Sequence, residues 1–517
     1  MAVSAEFCCW QNFSRGLQTA RRSSAQFQAN PLNVGGFEIS AHSRPESQLL
    51  AQVRAAPQFG DICFSIMGSH ADLQICGVPF SAWKHSDGGL WDILILFNES
   101  EKKVQQNPVH ESIDDEDPSP LYSVAYETTV DVFKKRLDFL GFTIDACRQI
   151  FEIEKSDEIE STRASIDRWS SDGWSQHRKD NSDVNAHIER QSRRIELLSN
   201  SNADTWLLAI REALFAKPGI NPSQLSELSQ LLTNKVLRFS SFPGNFDERV
   251  RLRFELEAAG AGRVVLDVSE LVDAEYYDHS DPLSEFARDG VPASDRGALH
   301  LIVLTEGSTD KLVLEGALKI VRPELVGYIS FMDFAELKIE GGASHLASLV
   351  RSFAAAGIRD RIVAVFDNDT AGCLSQAILS KFDLPKNIRV IRYPDIELAR
   401  NYPSLGPSGL VSMDVNGSAA GIELYMGSDV LTQPDGSLMP IQWKGYEATL
   451  KRYQGEVIEK RKCLARFSEK LRRFEQNGCD PSPPEWKDMR AILDSICSVF
   501  NAQDVELMVK RAQSSME

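Results

Sequence analysis

Two short apolar runs in this chain end in the same way. LHLIVLTEGSTD (299–310) and RIVAVFDNDTAG (361–372) are rich in Val and Ile, and each closes on acidic residues and a glycine. The pattern predicts buried strands that deliver carboxylates to the edge of a parallel sheet. Between them lie a helical stretch (Lys311 to Val321), an apolar strand (Tyr328 to Phe331), the turn Gly341-Gly342 and a second helix (Ser344 to Ala356). Ile388 to Tyr393 reads as a fourth strand. Alternation of strand and helix argues for a parallel sheet that binds its ligand at the carboxyl ends of the strands.

Other segments carry weaker patterns. Ala71 to Val78 alternates, and WDILILF (91–97) is a buried-strand candidate after the turn His85-Ser86-Asp87-Gly88-Gly89. Val130, Phe133, Leu137 and Leu140 fall on one helical face, as do Trp206, Leu207, Ile210 and Leu214. Residues 155–205 are polar and mixed in charge, which predicts exposed helix or linker. The segment 400–421, rich in Pro, Gly, Ser and Asn, reads as a loop over the sheet edge, and 444–473 as one long helix. Residues 1–66 lack periodicity and predict a flexible extension, with Met67-Gly68-Ser69 as an independent beginning; their Arg and Ser also fit a transit peptide.

With 517 residues, the chain has room for two to four domains. A formal charge of −18 argues against coating nucleic acid by bulk electrostatics, so any such contact is local. The balance reverses over 444–473, which carries a net +6 with Tyr446 and Tyr453 among its basic positions. That makes Lys460, Arg461 and Lys462 candidates for gripping a phosphate backbone, with a solvated charged helix as the alternative. The nine cysteines form no CxxC pair, which fits a reducing cytosol and gives no support for zinc. No apolar run reaches the length of a membrane span, and no Gly-rich phosphate loop ends in Lys-Ser/Thr.

The chemistry concentrates at the two acidic strand ends. Asp367 and Asp369, two apart, leave the same face of an extended chain. Glu306 closes its strand, Gly307 permits a sharp turn, and Ser308 or Thr309 can cap a helix whose first turn holds Asp310. Four carboxylates brought together repel unless a cation neutralises them, and hard oxygen ligands suit Mg²⁺ or Mn²⁺. Taken singly, each motif equally fits a cap or a solvated turn. The acidic stretch Glu111 to Pro120 reads as a solvated connection, and Tyr276-Tyr277 as packing on a sheet, with a tyrosine nucleophile as the alternative.

Strand-Glu-Gly-x-Thr-Asp, then Gly-Gly, then strand-Asp-x-Asp resembles the TOPRIM domain of topoisomerases, bacterial primases and OLD-type nucleases, over 298–428. The MGSHADLQI start ahead of it resembles the bacterial HEPN/Toprim-associated proteins. No Arg-x(4 to 6)-His pair of the HEPN ribonuclease type stands out, since Arg178 and His187 are nine apart.

The resemblance implies a Rossmann-like α/β domain with a parallel sheet of about four strands and flanking helices. It further implies an α+β amino-terminal domain over 67–297 and a helical carboxyl-terminal region over 429–517. It implies a divalent-metal nuclease acting on DNA ahead of RNA, cytoplasmic and in bacterial anti-phage defence, working as a homo-oligomer or with a defence partner and without a membrane. Glu306, Asp367 and Asp369 would hold the principal ion, and Asp310 and Glu423 a second; Asp414 and Asn416 are weaker candidates on the same loop. Lys311 would neutralise the scissile phosphate or sit on the helix surface. Two other classes stay open: a regulatory or nucleic-acid-binding TOPRIM protein, and a nucleotidyl-transferring or strand-passing enzyme.

Overall fold

A computed structural model of the chain describes residues 69–107, 121–171, 182–215, 226–233, 242–243, 247–290, 300–332, 341–407, 409–477, 484–501, 506 and 509–510. The expectations for residues 1–66, for the acidic stretch at 111–120 and for Arg178 lie outside these residues. Residues 67–517 form one compact unit.

The first body is a five-stranded antiparallel sheet in which a late strand fills the centre. Strands β1 (Ala71–Ile75), β2 (Val78–Trp83), β3 (Lys102–Gln106), β4 (Tyr122–Thr129) and β5 (Arg263–Asp267) lie in the order β2-β1-β5-β4-β3. Alternation explains β1, whose Ala71, Leu73 and Ile75 are fully buried while Asp72 and Gln74 are half-buried on the other face. The segment WDILILF departs from its strand expectation: Gly88–Leu94 is helix, with Leu90, Ile93, Leu94, Leu96 and Phe97 all fully buried. A short apolar run buried on all sides has no period of its own, so its tertiary surroundings decide between strand and helix.

Helices bury the apolar faces the sequence predicts. Val130–Phe139, packed on β4 and β5, buries Val130, Phe133 and Leu137, and Ala203–Leu214, packed on neighbouring helices, buries Trp206, Leu207 and Ile210. The polar 155–205 region resolves into parts of two helices, Ile144–Ser171 and Ser182–Ser199, which pack on each other.

The second body is the parallel sheet. Strands β6 (Leu301–Leu304), β7 (Ile329–Phe331), β8 (Arg361–Phe366) and β10 (Ile388–Arg392) lie in the order β10-β8-β6-β7, all pairs parallel. Helices Ser308–Val321, Ala343–Ala355 and Thr370–Leu379 follow β6, β7 and β8. Because all four strands run parallel, their carboxyl ends lie on one edge. The pair β9 (Asn368–Asp369) and β13 (Ala419–Ala420) closes that edge.

Two downstream expectations are corrected. The 400–421 loop contains β11 (Tyr402–Gly406) and β12 (Gly409–Met413), and the basic stretch is no single helix. Its first half is a hairpin of β14 (Ile441–Glu447) and β15 (Arg452–Val457), its second half a helix over Lys460–Asn477. Ile441 and Trp443 alternate with Gln442 and Lys444 along β14 before an irregularity puts Tyr446 out of step, a short period of two hidden by the charge count. The four strands form one sheet, β12-β11-β14-β15, which crosses position 428.

Arg136 ties the two bodies together. It is 1% exposed and donates to the Leu96 carbonyl at 2.8 Å, the Glu324 carbonyl at 2.9 Å and Glu101 Oε2 at 2.7 Å. An Arg136→Leu variant leaves buried acceptors without donors and is expected to lose about 3 kcal/mol of stability. Urea unfolding checks this, and a loss below about 1 kcal/mol would exclude a structural role for the pair.

Candidate functional site

The parallel sheet delivers its acids to one edge. Beyond β6 the chain bends at Glu306 and Gly307, where the Thr305 hydroxyl donates to the Gly307 carbonyl at 3.0 Å. The N-cap of the next helix is Gly307 itself, not Ser308 or Thr309, so the helix starts at Ser308 and Asp310 lies in its first turn. Asp310 is 7% exposed and accepts from the Tyr393 hydroxyl at 3.3 Å, just past β10.

Glu306 is fixed from two sides. Its Oε1 accepts from the Asp367 backbone N–H at 2.9 Å, which links the end of β6 to the end of β8. Its carbonyl accepts from the Gly342 N–H at 2.7 Å, and a Cβ on Gly341 would stand 2.9 Å from the same oxygen. The Gly-Gly turn is therefore needed for close backbone approach, and Gly342 has φ +108°, which favours glycine.

Asp369 ends β9 and caps the helix over Thr370–Leu379, accepting from the Gly372 N–H at 2.7 Å. Its other oxygen accepts from Gln454 Nε2 at 2.5 Å, across from β15. Glu423, 4% exposed on the short helical turn Ile422–Tyr425, faces Lys460 Nζ at 3.5 Å. Gly421 lies between two acids: a Cβ there would stand 2.9 Å from Glu423 Oε2 and 3.5 Å from Asp367 Oδ2.

Asp367 is the centre of the group. Its Oδ1 is buried without any hydrogen-bond partner, an unusual state for a carboxylate oxygen. Burial, then the charges of Asp310, Glu306, Asp369 and Glu423, hold its carboxyl well above the usual 3.8. Burial and Asp369 push Glu306 up, and burial and Glu423 push Asp310 up. The Tyr393 hydroxyl is raised as well, by burial and then by Asp310, Asp367 and Glu306. Burial and mutual repulsion thus raise Glu306, Asp310 and Asp367 together, with Asp369 and Glu423 among the charges that raise them. An oxygen with no protein donor, flanked by acids, is chemically suited to a hard cation.

Other candidates go elsewhere. Lys311 pairs with Glu315 one turn along its own helix, at 3.7 Å. Lys462 pairs with Glu459 at 3.0 Å, and Arg461 is exposed. Lys460, 44% exposed, also turns to the acids, with Glu456 at 3.6 Å as its second partner. Asp414 accepts from Asn416, which in turn accepts from the Ile396 N–H and Asn368, so this pair braces the loop. Tyr276 stacks on His85 at 3.8 Å and Tyr277 donates to the His85 carbonyl at 3.3 Å, the packing role expected. Tyr393 and Gln454 were missed as site residues, because nothing local to them marks a site.

The chain is thus a mixed α/β protein with an acidic centre at the carboxyl edge of a parallel sheet. Residues 67–290 match the family model described as HEPN/Toprim N-terminal domain 1, so this part of the chain is similar to that domain. The match covers the five-stranded body and stops before β6. No curated protein and no solved structure matches the chain. No helix among the described residues is long and apolar enough to cross a membrane.

The raised carboxyls have a consequence for stability. In the unfolded chain Asp367 and Asp310 titrate near 3.8 and Glu306 near 4.5, below their folded values. Between the two, the folded state binds more protons, so stability is fully present below the unfolded values and is lost as pH rises through the folded ones. In chelating buffer the melting temperature of the parent is expected to fall more steeply between about pH 5 and about pH 8 than that of Asp367→Asn, whose amide carries no charge. Equal slopes would show that the acids do not feel one another.

Proposed function

We propose that this chain is a TOPRIM-type nuclease that hydrolyses phosphodiester bonds with divalent metal, on DNA ahead of RNA, in bacterial defence against foreign nucleic acid. The observation that carries the reading is the orphaned, buried Asp367 Oδ1 among four other acids. It is supported by the strand-helix order around the acids and by an amino-terminal domain whose family name pairs it with Toprim.

Glu306, Asp367 and Asp369 would hold one Mg²⁺ or Mn²⁺, and Asp310 and Glu423 would help hold a second. Such ions activate water and stabilise the leaving oxygen of a phosphodiester. The chain's own groups set the geometry. The Asp367 N–H orients Glu306, while Gln454 and the Gly372 N–H orient Asp369. Tyr393 fixes Asp310 and keeps its own proton, since burial among acids holds the phenol neutral. Lys460 counters Glu423 and would meet substrate phosphate, the role that Lys311 would otherwise take if it is not a helix-surface lysine. Its ammonium is opposed by burial but sustained by Glu423, Asp367 and Glu456, so it stays charged.

The test is purified protein with Mg²⁺ or Mn²⁺ on plasmid, linear duplex, single-stranded DNA and RNA. Cleavage is expected to fall more than about 100-fold in Glu306→Gln and Asp367→Asn, as loss of a ligand costs more than loss of the group behind it. Gln454→Ala removes such a supporting group and is expected to cost about 10- to 100-fold, with part of the loss recovered at higher metal concentration. Parent-like cutting by Asp367→Asn would remove the acids from the chemistry.

A further inference from the structure

The β14–β15 hairpin brings more to the acidic edge than Gln454. Tyr446 and Tyr453 are cross-strand partners near its tip, with ring centroids 5.1 Å apart, and Trp443 lies 6.2 Å from Tyr453. At 57% and 58% exposed, the two tyrosines are the most exposed aromatic side chains among the described residues. Their rings meet edge to face at 63°, so the contact leaves open ring surface toward solvent.

The hairpin is fixed to the site. The Tyr453 carbonyl accepts from the Thr370 hydroxyl at 2.8 Å, and the neighbouring Gln454 holds Asp369. Lys444, Lys451 and Arg452 lie on the hairpin against Glu447 and Glu456, and the wider stretch 444–473 carries +6 in a chain of −18. Exposed rings among cations, one residue from a phosphodiester-type acidic centre, match a strand that offers open bases and a phosphate backbone together. An intact duplex offers the backbone alone, because its base faces are occupied by their neighbours.

We propose that Tyr446 and Tyr453 form a stacking platform for unpaired bases, so that the acidic centre takes a single-stranded or locally opened nucleic acid. This rests on the nuclease reading for its substrate class but makes its own claim about binding. The experiment uses the full chain in chelating buffer, with fluorescence anisotropy on a labelled oligothymidylate and on a blunt duplex of equal length.

The parent is expected to prefer the single strand. Tyr446→Ala/Tyr453→Ala is expected to weaken single-strand binding at least about tenfold and duplex binding less than about twofold. Tyr446→Phe/Tyr453→Phe is expected to keep the preference, since stacking needs the ring and not the hydroxyl. That variant also separates loss of stacking from loss of fold. Unchanged single-strand affinity in the double-alanine variant overturns the proposal, as does equal affinity of the parent for both probes. A parent dimer that the alanine pair converts to monomer overturns it too, because the rings would then cover a second copy. Ring-dependent binding without metal-dependent cutting upholds the platform and removes the nuclease reading. Cutting that is lost in Asp367→Asn but unchanged, with unchanged binding, in the double-alanine variant does the reverse.

Discussion

Mutual repulsion among Glu306, Asp310, Asp367, Asp369 and Glu423 is the constraint around which the second half of this chain is arranged. Like charges that feel one another at a poorly solvated edge are costly, and four of the five acids are held in place by a specific opposing contact. The holding groups are a backbone N–H for Glu306, a helix N-terminus and an amide for Asp369, a phenol for Asp310 and an ammonium for Glu423. Only Asp367 Oδ1 is left without one. The asymmetry matters, because a purely structural cluster would satisfy every buried oxygen.

The scaffold around the acids answers to the same constraint. Glycine stands where side chains would collide with the acids or their backbone: Gly341 against the Glu306 carbonyl, Gly372 against the Asp367 carbonyl, Gly421 against Glu423 and Asp367. These positions belong to three separate connections, after β7, after β9 and after β13. What unites them is the space they leave beside the carboxylates, which an alanine at Gly421 would partly fill.

The strands and the acids were legible because each signal is local. A Val- and Ile-rich run followed by an acid is complete within a dozen residues, and the order of such runs fixes the sheet. The groups that steady the acids were not legible. Gln454 acts on Asp369 from 85 residues away, and Tyr393 on Asp310 from 83, so no periodicity connects them. The β14–β15 hairpin was hidden for a different reason: its Lys, Arg and Glu residues suggest a charged helix, while the alternation of Ile441, Trp443 and Tyr446 is broken by an irregularity between Trp443 and Gly445. The strand pair within 400–421 was masked by Pro, Gly and Ser, residues common in loops but tolerated in an edge hairpin such as β11–β12.

The anchoring of the parallel sheet explains how a large amino-terminal domain can be attached without covering the site. Tyr328, directly before β7, donates its hydroxyl to the Ile95 carbonyl, and Arg136 reaches the Glu324 carbonyl just upstream. The Leu301 N–H, at the start of β6, in turn donates to the Tyr328 carbonyl at 2.9 Å. All of these ties grip the amino ends of β6 and β7. The acids leave the carboxyl ends, and in a parallel sheet those are opposite edges. The domain over 67–290 therefore braces the sheet from below, while the carboxyl edge is bordered by β13, the β14–β15 hairpin and Lys460. The acids and the residues that hold the two bodies together are thus separated by the length of the strands, which lets one edge carry repulsion while the other carries the packing that withstands it.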